Sequence, residues 1–218
     1  MRGRLVLCAG FVLCTSLIAF AADWGEQQLA TEQQPQAPKA AVLAVAPTHI
    51  VEQTFPPNGI METAWKVEWE TVTGFGLVIK NAWFKSGPDK DWLQVIGDAR
   101  LADILVPYQP GVPRYWDVAY NFKLSELSAA DAGPFGKLHI SMNGEVMEPC
   151  VVQEIRDRGV IWKNNDGVRR GHVMALWGCL HAINYRYLIE YGFQDDGCIV
   201  FRVGSTGRNL QGREYVPH

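Results

Sequence analysis

Bulky apolar residues alternate with charged ones over Ala64-Trp65-Lys66-Val67-Glu68-Trp69-Glu70, so Trp65, Val67 and Trp69 share one side of an extended chain. A side-chain period of two predicts a strand with one face in a core and the other in water. Gly74 to Phe84 carries Leu77, Ile79, Ala82 and Phe84 as its apolar positions, and the interruption at Lys80-Asn81 predicts a bulge or bend. Ser86-Gly87-Pro88-Asp89 punctuates the chain as a turn, and Trp92 to Leu105 reads as a further extended stretch. The clearest unit lies later, where Tyr185, Tyr187, Ile189, Tyr191 and Phe193 occupy alternate positions. Asp195-Asp196-Gly197 comes next, and Ile199 to Val203 is again β-branched and aromatic. Strand, acidic-glycine turn and strand predict a β-hairpin. Helical periodicity is scarce after residue 50, and Ser125 to Ala132 is the best stretch for a short helical turn. The expected fold class is all-β, an antiparallel β-sandwich.

The N-terminal part obeys other rules. Arg2 and Arg4 precede a charge-free, mostly apolar run from Leu5 to Phe20, and Ala19-Phe20-Ala21 supplies a small-x-small cleavage pattern. This predicts a signal peptide over residues 1–21 and a secreted or periplasmic location. The run is short for a membrane anchor, which needs about 20 apolar residues. No membrane partner is expected after cleavage. Residues 22–48, rich in Ala, Gln and Pro, read as a solvated linker, and a globular domain is expected over residues 49–218. Hydrophobic residues make up 48% of the sequence, enough for a packed core. The net charge of −3 argues against a nucleic-acid partner. Once Cys8 and Cys14 leave with the signal, Cys150, Cys179 and Cys198 remain, an odd number with no C-x-x-C pair. The plainest reading is three small buried apolar residues.

Four blocks, in order, resemble the catalytic domain of copper/topaquinone-containing primary amine oxidases. Asp98 to Tyr108 is similar to a block that runs leucine, acidic, hydrophobic, Val-Pro-Tyr. Cys150 to Asp157 with Gly159-Val160-Ile161-Trp162-Lys163 is similar to the block before that family's quinone strand. Asn184-Tyr185 stands where the family has its Asn-Tyr dipeptide. Asp196-Gly197, a strand and Thr206-Gly207 resemble the family's turn, return strand and Thr-Gly downstream of that dipeptide. The resemblance spans residues 65–218 and implies part of the family's super-sandwich. It implies that Tyr185 is the topaquinone precursor that forms the Schiff base, with Asn184 as its motif neighbour. It makes Asp117, after Trp116, the proton acceptor; the apolar neighbours Trp116 and Val118 would raise its pKa on burial. It implies copper(II) held by three histidines, and His218 matches the first of them, the other two having no counterpart in the sequence. The implied chemistry is oxidative deamination of a primary amine by dioxygen to aldehyde, ammonia and hydrogen peroxide. A homodimer is the family's typical state.

The sequence also departs from the family. His181 and Arg186 occupy positions usually held by Thr and an acid, and the expected disulfide partner of Cys150 is missing, so Cys150 should be reduced. His49, His139, His172 and His181 form no pair at ligand spacing. Taken without the resemblance, Tyr185 is a core aromatic and Asp117 a turn residue. The rival expectation is therefore a non-catalytic, secreted β-sandwich binding module.

Overall fold

The computed structural model describes residues 48–106 and 122–208, together with the backbone of 115–116. The expected signal peptide over residues 1–21, residues 22–47 of the expected linker, Asp117 and His218 lie outside the described residues.

Two antiparallel sheets carry the fold. The first has four strands in chain order: β1 (His49–Phe55), β2 (Thr63–Val72), β3 (Gly76–Lys85) and β4 (Leu93–Ile96). After it comes a short ribbon, in which β5 (Leu105–Val106) pairs with β6 (Tyr115–Trp116). Next are β7 (Lys123–Leu124) and a single helical turn, α1 (Ala129–Ala132). The second sheet is then built from β8 (Gly136–Asn143), β9 (Val146–Lys163), β10 (Val168–Ala182), β11 (Tyr185–Gln194) and β12 (Ile199–Gly207), ordered β12-β11-β10-β9-β8, with β7 added against β10. This is the expected all-β sandwich of antiparallel sheets.

The core lies between the sheets, where the sequence alternation placed it. Trp65, Val67 and Trp69 of β2 and Leu77 and Ile79 of β3 are fully buried. They belong to one cluster with Met174, Leu176 and Leu180 of β10 and with Tyr187, Ile189, Tyr191 and Phe193 of β11. Each large side chain of this kind contributes about 1.5–3 kcal/mol by leaving water. Some core aromatic side chains carry polar atoms that bond across the seam, although Trp69 Nε1 is buried without a hydrogen-bond partner among the described residues. Trp65 Nε1 donates to the Gln194 carbonyl at 2.7 Å, and the Tyr191 hydroxyl lies 3.2 Å from the Leu77 carbonyl.

The expected bulge in the second strand is present. Glu68 pairs with Asn81 and Trp69 with Ile79, leaving Lys80 as the extra residue. Its ammonium lies 3.4 Å from Glu70 and 3.5 Å from Asp98. The hairpin of β11 and β12 turns where expected, with Gly197 at φ 88°. The helical turn is α1, capped by Ser128, whose side chain accepts from Asp131 N while the Asp131 carboxylate accepts from Ser128 N.

One stretch differs from expectation. Trp92–Leu105 is not continuously extended: β4 ends at Ile96, and past Gly97 only Ala99 bridges back, to Ile79. Leu93 is 64% exposed and Val95 is also exposed, while Ile96, Ala99, Leu101 and Ile104 pack on the core at irregular spacing, so the segment does not alternate as a strand. The longest strands, β9 and β10, run past their other neighbours. Beyond Arg156 and before Val173 they pair only with each other, forming an arm with bulges at Ile161 and Arg158.

Candidate functional site

Tyr185 is the first residue of β11 and faces Ala182 across the tight turn Ile183-Asn184. Ile183 sits at φ 53°, which a β-branched residue rarely adopts, so the surroundings must hold it there. They do so through its carbonyl. His181 donates from Nε2 at 3.2 Å, and Arg186 donates from Nη1 at 3.1 Å. Arg186 also reaches the Tyr185 carbonyl at 3.0 Å. The two residues that depart from the family pattern are therefore cross-strand partners that clamp one turn. Strand alternation puts both on the face opposite the Tyr185 ring.

On the other side of β11, Tyr185 pairs with Gly207 and Arg186 with Thr206. Asn184 donates from its side-chain amide to the Arg208 carbonyl. Gly207 has φ 145°, and a Cβ there would collide with the Asn184 oxygen and stand 2.8 Å from Tyr185 Cδ1. Only glycine lets the β12 backbone close over the tyrosine. The ring itself is half-buried, joins the edge of the main core and lies 6.0 Å from the Tyr187 ring at 32°. Asn184, Tyr185, Thr206 and Gly207 thus meet at one hairpin end. The sequence carried Gly207 only as part of a motif, and its close approach to Tyr185 has no signature in the chain pattern.

The remaining predicted site residues are not brought into view. Leu101 and Ile104, upstream of the Val-Pro-Tyr block, pack on the same core cluster as Tyr185. Leu105 pairs with Trp116, the residue before Asp117. Asp117 and His218 lie outside the described residues. Among the described residues no group of three or more His, Cys, Asp or Glu side chains converges as a metal site. Of the four described histidines, His49 on β1 and His139 on β8 both pack on Trp69, while His172 and His181 lie apart on β10.

Cys150 is a free, buried thiol, as expected, and burial pushes its pKa up to about 12. Burial also raises Cys179, so neither thiol has the lowered pKa of a reactive cysteine. Among the described residues no helix is long and apolar enough to cross a membrane. No protein-family model matches this chain, and no curated protein matches it significantly.

Proposed function

We propose that this chain carries the quinone-bearing strand of an exported copper- and topaquinone-dependent primary amine oxidase, with Tyr185 as the precursor. The observation that supports this reading is the meeting of Asn184-Tyr185 with Thr206-Gly207. These two motifs stand at the open ends of consecutive strands, and the register of the β11–β12 hairpin makes Tyr185 and Gly207 direct cross-strand partners. Tyr185 is held by strand pairing on both sides and by Gly207 against its ring, which fixes where a modified ring would sit. Once formed from Tyr185, topaquinone would supply the carbonyl to which a primary amine adds and the oxidising power that dioxygen later restores. In this reading Asp117 takes the substrate proton and His218 donates to copper. The described residues do not themselves form a copper site, so no step is derived through the metal.

The test uses protein expressed from the complete reading frame, incubated with copper and air. The expected result is visible quinone absorbance, trapped by phenylhydrazine, and peroxide release on adding benzylamine. Tyr185→Phe abolishes both. A copper-loaded protein with neither signal overturns the reading and favours the non-catalytic binding module. His181→Thr and Arg186→Glu should leave the absorbance unchanged, because both side chains act on the turn rather than the ring.

A further inference from the structure

Four dipeptides in the sequence set an Asn or Asp directly before a glycine: Asn58-Gly59, Asn143-Gly144, Asp166-Gly167 and Asp196-Gly197. The pairing has a chemistry of its own. Glycine has no Cβ to shield its backbone nitrogen or restrict its rotation, so that nitrogen can reach the side-chain carbonyl carbon of the residue before it. The attack needs two freedoms: a side chain able to turn toward the backbone, and a glycine nitrogen not held elsewhere. An ionised carboxylate is in addition a poorer electrophile than an amide.

Three of the four sites are held. Asn143 is 4% exposed, and its amide accepts from Leu124 N at 3.0 Å while donating to the Leu124 carbonyl at 2.7 Å and to Glu148. Turning it onto Gly144 breaks all three bonds. At Asp166 the nucleophile is engaged, since Gly167 N donates to Asn164 Oδ1 at 2.9 Å. At Asp196 both groups are engaged. Gly197 N donates to the Gln194 carbonyl at 3.0 Å, and the carboxylate accepts from Cys198 N and pairs with Arg158, each at 3.0 Å.

Asn58 is different. It lies in the loop 56–62 between β1 and β2, whose base is closed by Glu62 N donating to the Phe55 carbonyl at 2.7 Å. The tip stands in water: Asn58 and Gly59 are exposed, and Ile60 is 92% exposed. The Asn58 side chain makes no hydrogen bond to another described residue. Gly59 N reaches only the Pro56 carbonyl, at a long 3.4 Å.

We propose that Asn58 is a site of spontaneous deamidation, converting to a mixture of aspartate and isoaspartate. Gly59 N gives up its proton to solvent and bonds to the Asn58 side-chain carbonyl carbon. The bond from that carbon to the side-chain nitrogen breaks, and ammonia leaves with a proton from solvent. The product is a cyclic imide. Water opens it at either carbonyl, leaving aspartate in one case and, in the other, a backbone routed through the side-chain carbon. One water is consumed and one ammonia released, with no change of oxidation state. Each converted chain gains one negative charge over the −3 of the sequence. Pairing begins at Phe55 and Thr63, so the change is confined to the loop. The inference uses no residue of the quinone site.

The full chain, aged in mildly alkaline buffer made with heavy-oxygen water, tests this by peptide mapping and isoaspartate detection. The expected result is conversion at Asn58, with one heavy oxygen incorporated. Conversion at Asn143 should be roughly a hundredfold slower, because three hydrogen bonds must open first. Asp166 and Asp196 should stay ordinary aspartates over the same period. In concentrated urea, Asn58 and Asn143 should convert at similar rates, which assigns the difference to the fold. Asn58→Ser should remove the isoaspartate signal at an unchanged melting temperature. An Asn58 that stays intact in the folded chain for as long as it takes to convert in urea would overturn the proposal, as would equal rates at Asn58 and Asn143 in the folded chain.

Discussion

Trp69 is the point where single residues close the seam between the sheets. His49 stacks on its indole at 4.2 Å and 15°, and His139 meets it edge-on at 5.5 Å. His49 Nε2 lies 3.1 Å from the Ser141 hydroxyl, which lies 2.9 Å from that of Thr71. The first sheet is thereby tied to β8 of the second. Burial lowers the pKa of His49. It also lowers that of His139, where Lys137 and His49 act in the same direction against the Gln153 hydrogen bond. A histidine lowered in the folded state prefers to be neutral there. Its stabilising effect is complete above the unfolded value of about 6.5 and is lost as pH falls from there toward the folded value. Carboxylates act lower. Asp98 beside Arg100 and Asp157 beside Arg170 are held below their usual range, so they lose stability only under about pH 4. The melting temperature should therefore drop between pH 7 and 5, before the carboxylate region. His49→Gln with His139→Gln should flatten that step. An unchanged step in the double variant would assign it to other groups. None of this is visible in the sequence, because His49 and His139 acquire their roles from opposite sheets meeting at Trp69.

Among the elements, legibility tracked the exposure of one face. β2 shows a clean alternation because Lys66, Glu68 and Glu70 reach water while Val67 and Trp69 between them do not, and the β11–β12 hairpin was marked by the turn glycine at φ 88°. β10 did not stand out. Ala175 and Leu176 point to opposite faces and both are fully buried, so its run reads as continuously apolar rather than alternating. The arm was equally hidden, since its extent depends on where β8 and β11 stop pairing. The bulge at Lys80 was legible as a break in phase, and it supports a sharp prediction. Deleting Lys80 restores an unbroken alternation from Ile79 through Asn81 to Ala82, so the inward residues stay inward. Only surface ion pairs are lost, each worth about 1 kcal/mol or less. Deleting Val78 instead shifts Leu77 and the start of β3 by one residue, which turns a fully buried leucine to the other face. Urea denaturation should find the Lys80 deletion folded with a slightly lower midpoint and the Val78 deletion unfolded or nearly so. Equal loss in both would mean that the bulge, not the alternation, fixes the strand.

For the whole molecule, the sequence identified the sandwich and one corner of the candidate site. Tyr185, Asn184 and Gly207 come together, while the relation of Asp117 and His218 to them depends on residues outside the described part. Four short blocks carry the resemblance, but the physics of a metal centre or a proton acceptor lives in contacts between distant segments, which no single block encodes. The sandwich also presents an edge. β12 pairs only with β11 among the described residues, and Val200, Phe201 and Val203 along it are 44%, 59% and 54% exposed. A nine-residue strand with unpaired backbone groups and apolar side chains is a template for another strand. Phe201 is partly engaged, meeting the Tyr191 ring edge-on at 5.6 Å, whereas the two valines leave their methyls in water. A charge on either valine costs little in the isolated molecule, but it would have to be desolvated if a second edge docked there. The chain should therefore associate in a concentration-dependent way. Val200→Lys together with Val203→Lys should shift sedimentation toward the monomer without lowering the melting temperature by more than a few degrees. Association that persists unchanged in this variant would move the contact away from β12, and Trp162→Ala on the arm, with Ile161 and Val168 beside it, would be the next surface to change.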